Sequence, residues 1–165
     1  MKLTPEEIQP KLKKISLGYL IAGIAANILT PYAAYFYKSF QDDLLPLGMA
    51  LNKAIHLQYI HPNVSKVMAL YNVHLTVFGV LAFIILWRSS STCTANTAMH
   101  RLIGITSSGL CMFAITFFTY YLMFNSHGST SGLAIVFAPI YAIVFAFPAF
   151  LVAWIWSRRI YLDGK

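Results

Sequence analysis

Four apolar stretches, Ile15 to Tyr37, Val67 to Trp87, Leu102 to Phe124 and Leu133 to Trp156, contain no Asp, Glu, Lys or Arg, and the one histidine within them is His74. Each is 21 to 24 residues long. At about 1.5 Å per residue, roughly 20 helical residues cross a hydrocarbon core of about 30 Å. In lipid, an open strand leaves backbone groups unpaired, and none of the stretches alternates as a closed barrel would require, so the pattern predicts helices. The composition agrees: 58% of residues are hydrophobic, 10% are charged, and mean hydropathy is +0.65. The expected fold is all-α, a single integral membrane domain over residues 1–165 built as a four-helix transmembrane bundle. Its solvent and constant partner is the lipid bilayer.

The net charge of +7 does not point to nucleic acid, because of where the charge sits. Lys2, Lys11, Lys13, Lys14, Arg88, Arg101, Arg158, Arg159 and Lys165 fall in the amino terminus, the second connection and the carboxy terminus, while Lys38, Lys53 and Lys66 fall on the other side. This asymmetry places both termini in the cytoplasm. The first stretch is too long for a cleaved signal peptide and ends in Tyr32, Tyr35, Phe36 and Tyr37, which read as the aromatic belt of a retained helix. Cys93 and Cys111 lie at different depths in this topology, which excludes a disulfide framework.

Thr4, Pro5, Glu6 and Glu7 form a capping box. A short cytoplasmic helix is expected there, interrupted at Pro10, with Lys11, Lys13 and Lys14 meeting anionic headgroups. In the long outer connection Lys38 to Lys66, the helical spacing of Leu47, Leu51 and Ile55 predicts an outer interfacial helix between spans one and two, ended by His61-Pro62-Asn63. Arg88 to Arg101 reads as a polar inner loop, and Asn125 to Gly132 as a short outer turn that makes spans two, three and four consecutive neighbours. Close packing in lipid rests on small residues. The candidate stripes are Gly18, Ala22, Ala25 and Ala33; Ala69, Asn72, Thr76 and Gly79; Gly104, Ser108 and Cys111; and Ala138, Ala142, Ala149 and Ala153. Pro31, Pro139 and Pro148 should bend their spans, and Trp154, Trp156, Arg158 and Arg159 should anchor the last one at the cytoplasmic surface.

Charge-free spans also restrict chemistry. Haem ligation needs two ligands at one depth, but His74 enters from the outer side and His100 precedes the third span on the inner side, while His56, His61 and His127 are outside the spans. No metal site, cofactor site or catalytic constellation of nucleophile and base is legible, so an enzyme is not expected. Asn27 lies at the depth of His74, and each opposes the small stripe of its own span. The two are expected to form a structural polar pair, with His74 facing a partner's transmembrane segment as the alternative.

Tyr37-Lys38, followed by Leu44-Leu45 and then by Lys66-Val67-Met68 with Tyr71, together with the four-span topology and long first outer loop, resembles the bacterial immunity proteins that act against pore-forming colicins of the colicin A type. That resemblance implies a multi-pass protein of the bacterial cytoplasmic (inner) membrane that binds the pore-forming domain of a bacteriocin and blocks channel opening without catalysis. Partner contacts are then expected at Asp42, Asp43, Lys53 and His56, at the outer turn around Asn125 and His127, and at His74. Two other readings stay open: an accessory subunit of a membrane complex or a surface-exclusion protein, and a small transporter or channel component with a path lined by Thr76, Thr106, Thr116 and Thr119.

Overall fold

The computed structural model describes residues 5–60, 70–92, 94–125 and 131–162. Six helices account for nearly all of them: α1 (Pro5–Gln41), α2 (Leu47–Ile55), α3 (Leu57–Ile60), α4 (Val73–Thr92), α5 (Ala95–Asn125) and α6 (Ser131–Leu162), with no strand among the described residues. Four of these, α1, α4, α5 and α6, are long and apolar enough to cross a membrane. They run alternately up and down between two ends of different character. Lys13, Arg88, Arg101 and Arg158 lie at the basic end, and Asp42 and Asp43 at the other, the Asp42 end.

The helices pack as two intimate antiparallel pairs, α1 with α4 and α5 with α6, joined mainly through α1 and α5. Direct contact between α4 and α5 is sparser, so the expected row of consecutive neighbours is tight only at α5 and α6. Residues on α1 and α4 meet in a simple register, Gly23 against Gly79 and Asn27 against Thr76. On the other pair Gly104 lies beneath the Phe150 ring, Ser108 Oγ donates to Ala146 O at 2.9 Å and Ser107 Oγ to Ala149 O at 3.2 Å. Small residues thus admit the neighbouring backbone, and hydroxyls bond across the gap. Between the pairs, buried side chains stack in three layers. Ala34, Tyr35, Ala54, Leu57 and Tyr120 lie near the Asp42 end, Leu75, Met112, Ala142 and Ala146 at mid-height, and Ala82, Leu86 and Ile105 toward the basic end.

Several expectations are corrected. Of the first stripe, Gly18 faces open space and Ala22 is exposed; Gly23, a quarter-turn away, makes the close approach. Pro10 does not interrupt α1, because near a helix end it removes a single ladder bond, and Leu12 and Ser16 just beyond it are buried. Pro31 is also carried inside the continuous helix. The ladder donor it lacks would have bonded Asn27 O, and Asn72 Nδ2 reaches that carbonyl from α4's amino end at 3.0 Å. The polar loop expected between Arg88 and Arg101 is almost entirely helical. Ser89, Ser90, Ser91 and Thr92 return their hydroxyls to Ile85 O, Trp87 O and Arg88 O, satisfying carbonyls at the end of α4. Thr94 O then accepts the first bond of α5 from Ala98 N at 3.0 Å. Tyr35 is turned inward at 8% exposure, edge-on to Phe124, rather than standing in an outer belt. Thr4, Cys93 and His61 to Ala69 lie outside the described residues.

Candidate functional site

At the Asp42 end α1 stops by a tight reversal. Asp42 N and Asp43 N both bond Lys38 O, at 2.9 and 3.2 Å, and Leu45 N reaches back to Ser39 O at 3.2 Å. This last closure requires a left-handed residue, normally glycine, and Leu44 supplies it with φ 52°. A leucine bears a steric cost in that conformation, and its side chain is 82% exposed. Strain and solvent-facing apolar surface therefore coincide at one residue.

The reversal aims the two carboxylates differently. Asp42 accepts from Asn125 Nδ2 at 2.8 Å and from the Tyr121 hydroxyl at 3.2 Å, tying the end of α1 to the end of α5. Asp43 takes both its bonds from Lys38 Nζ, at 2.7 and 2.9 Å, an exposed ion pair of small energetic weight. Of the residues singled out in the sequence, Asp42 and Asn125 are thus brought together, with Asp43 beside them; Tyr121 joins them without any local sequence signal. His127 lies outside the described residues.

Lys53 and His56 sit apart from that cluster, on α2 and its carboxy-terminal cap. Ala50, Ala54 and Leu57 are buried beneath the short helices, with Ala54 and Leu57 packed among the α1 and α5 residues of the upper core layer. At 100° per residue, Lys53 and His56 occupy the side of the helix opposite the exposed Leu47, Leu51 and Ile55, and the buried alanines lie between the two sides. His56 Nδ1 lies 2.8 Å from Asn52 O, and its ring is 6.0 Å from that of Tyr59.

Inside the helices the expected Asn27–His74 pair is not formed. Asn27 lies one turn from Gly23 and so faces α4, where its Nδ2 donates to Thr76 Oγ1 at 2.9 Å. His74 points instead to α5. Its Nδ1 lies 3.0 Å from Tyr71 O and its Nε2 2.9 Å from Thr116 Oγ1. A carbonyl can only accept, so Nδ1 carries the proton, and the neutral ring accepts at Nε2 from the threonine hydroxyl. His74 is 6% exposed, so a contact between its ring and another protein's helix would require α4 and α5 to part. Asn27 Oδ1 and the Tyr120 hydroxyl are buried without a hydrogen-bond partner among the described residues.

At the basic end Lys13 lies over the Trp87 ring at 5.2 Å, Arg158 over Trp154 at 4.6 Å, and Arg101 Nη1 donates to Ser89 Oγ at 2.8 Å. His100 Nδ1 meets Ser157 Oγ at 2.9 Å, at the far end of the helices from His74. Among the described residues no three His, Cys, Asp or Glu side chains gather as a metal site would need. No known protein family, curated protein or solved structure matches the chain.

Proposed function

We propose that this chain is a membrane-embedded immunity protein, a four-helix transmembrane bundle of the bacterial inner membrane that binds a pore-forming bacteriocin and blocks its channel. Both termini, and with them the basic end, face the cytoplasm in this reading, as the distribution of Lys and Arg requires. The Asp42 end then faces outward, and α2 lies in the outer interface with Leu47, Leu51 and Ile55 toward lipid and Lys53 and His56 toward water.

The observation that carries the reading is the contrast between interior and Asp42 end. Polar groups inside the helices are engaged mainly with one another, whereas the Asp42 end offers ordered, exposed polar groups beside a strained, exposed leucine. Strain held at an exposed position is a pointer to function, and an ordered polar rim around an apolar contact is the anatomy of a recognition surface. The threonines considered for a transport path favour recognition as well. Thr106 and Thr119 return their hydroxyls to carbonyls of α5, Thr116 is engaged by His74, and Thr76 by Asn27.

The direct test is to express the chain in cells challenged with a panel of pore-forming bacteriocins. Protection against at least one is expected. Survival no better than that of control cells against every toxin overturns the proposal.

A further inference from the structure

Below the upper core layer α1 and α5 separate, leaving a lateral groove of about 590 Å³ floored by Leu75 and Phe78 of α4. It follows α1 from Tyr19 to Ala33, roughly 21 Å of helix. Its rim is exposed, with Ala22 and Leu29 on one side and Leu110 and Phe113 on the other. In a membrane-spanning chain such a rim opens sideways into hydrocarbon.

The lining says what kind of molecule fits. Its polar side chains are those of Tyr19, Thr30 and Thr106, and all three are engaged: the Tyr19 and Thr106 hydroxyls bond each other, Thr106 also bonds Leu102 O, and Thr30 bonds Ala26 O. No polar group in the groove seeks a ligand atom, so the occupant is apolar over its whole length. A groove of this length, open along one side and walled by small side chains on α1, takes a slender chain lengthwise. A single hydrocarbon chain is slender enough.

Charge indicates what that chain is attached to. Beyond Tyr19 toward the basic end, Lys11 falls on the groove side of α1, three turns below Ala22, with Lys14 flanking it, and both are exposed. Asp42 and Asp43 sit at the opposite end, and before the groove α1 carries Lys11, Lys13 and Lys14 against Glu6 and Glu7. We infer that the groove between α1 and α5 holds one acyl chain of an anionic phospholipid from the leaflet at the basic end, its phosphate met by Lys11 and Lys14.

The experiment uses the full-length protein in nanodiscs containing phosphatidylglycerol with a photoreactive diazirine near the end of one acyl chain. After irradiation, adducts are expected on residues 22–29 and 110–113 in clear excess over those on the exposed α6 positions Val144 and Val152; an even spread over all lipid-facing positions overturns the inference. Native mass spectrometry of detergent-released protein supplies the second readout. Phosphatidylglycerol should be retained over phosphatidylethanolamine by about thirtyfold, the preference two interfacial lysines can supply, and Lys11→Gln with Lys14→Gln should bring that ratio near one. Ala25→Phe should reduce retention of both lipids about tenfold while the melting midpoint holds. Equal retention of the two lipids by the unaltered protein overturns the assignment of the headgroup.

Discussion

Asn72 donates its side-chain amide to the backbone carbonyl of Asn27, the acceptor that Pro31 leaves without a helical donor. Pro31 is fully buried, so in a membrane no water can fill the vacancy. Replacing Asn72 by Leu should therefore lower unfolding stability in bicelles by about 1–2 kcal/mol. In a Pro31→Ala background the alanine N–H closes the ladder itself, and the same replacement should cost roughly half as much, the remainder reflecting lost packing. Equal costs in the two backgrounds would mean that the amide does not stand in for the missing donor.

Gly23 and Gly79 set the distance between α1 and α4. A Cβ on Gly23 would lie 2.8 Å from Gly79 Cα and from Leu75 O, and one on Gly79 would lie 2.9 Å from Tyr19 O. These neighbours are backbone and cannot rotate away, so Gly23→Ala or Gly79→Ala should cost about 1–3 kcal/mol. Gly18→Ala, with nothing within 4 Å, should be neutral or stabilise by up to about 1 kcal/mol. A chemical-denaturation series on all three distinguishes helix propensity from interhelical contact.

Thr116→Val removes the donor to His74 Nε2 and leaves a buried nitrogen unsatisfied, at a cost of about 1 kcal/mol. Adding His74→Leu should recover part of that loss, since removing both members of a buried pair is cheaper than removing one. His74→Leu with Asn27→Leu, by contrast, should show additive costs, because those two residues bond to different partners.

Leu44→Gly places at φ 52° the residue that backbone geometry favours. Relief of about 1–2 kcal/mol of left-handed strain is set against about 0.5–1 kcal/mol of added chain entropy, so thermal stability should hold or rise slightly. Protection in the bacteriocin challenge should fall, because an exposed apolar contact is lost. Unchanged protection would remove Leu44 from the recognition surface.

Asp42→Ala frees Asn125 and Tyr121 at the surface, where each exposed bond contributes little. The expected stability change is within about 1 kcal/mol, while protection should decrease. Lys38→Met, which breaks the exposed pair with Asp43, should change neither stability nor protection by a comparable amount.

What the sequence made legible follows from which forces act locally. The four helices were written in the absence of charge, a property that lipid reads residue by residue. Serine and threonine look like loop formers at the ends of α4 and α5, yet the buried Ser89 and Ser90 return their hydroxyls to carbonyls of their own helix where little water competes. The partner of His74 is not legible because the alanines of α1 do not mark its packed face: one glycine at position 23 decides which side meets α4 and carries Asn27 with it. The contact between Asp42 and Asn125 joins residues 83 apart, and neither it nor the left-handed Leu44 beside it has a local sign in the sequence.

The pairing of α1 with α4 and of α5 with α6 bears on the order of assembly. Every residue of the first interface precedes α5 in the chain, so the Gly23–Gly79 crossing and the Asn72 bond can close before the last helix is complete. The hairpin of α5 and α6 can then dock on a template that already exists. Neighbour relations thus follow chain order, and the lateral gap between α1 and α5 lies where the first hairpin faces the second.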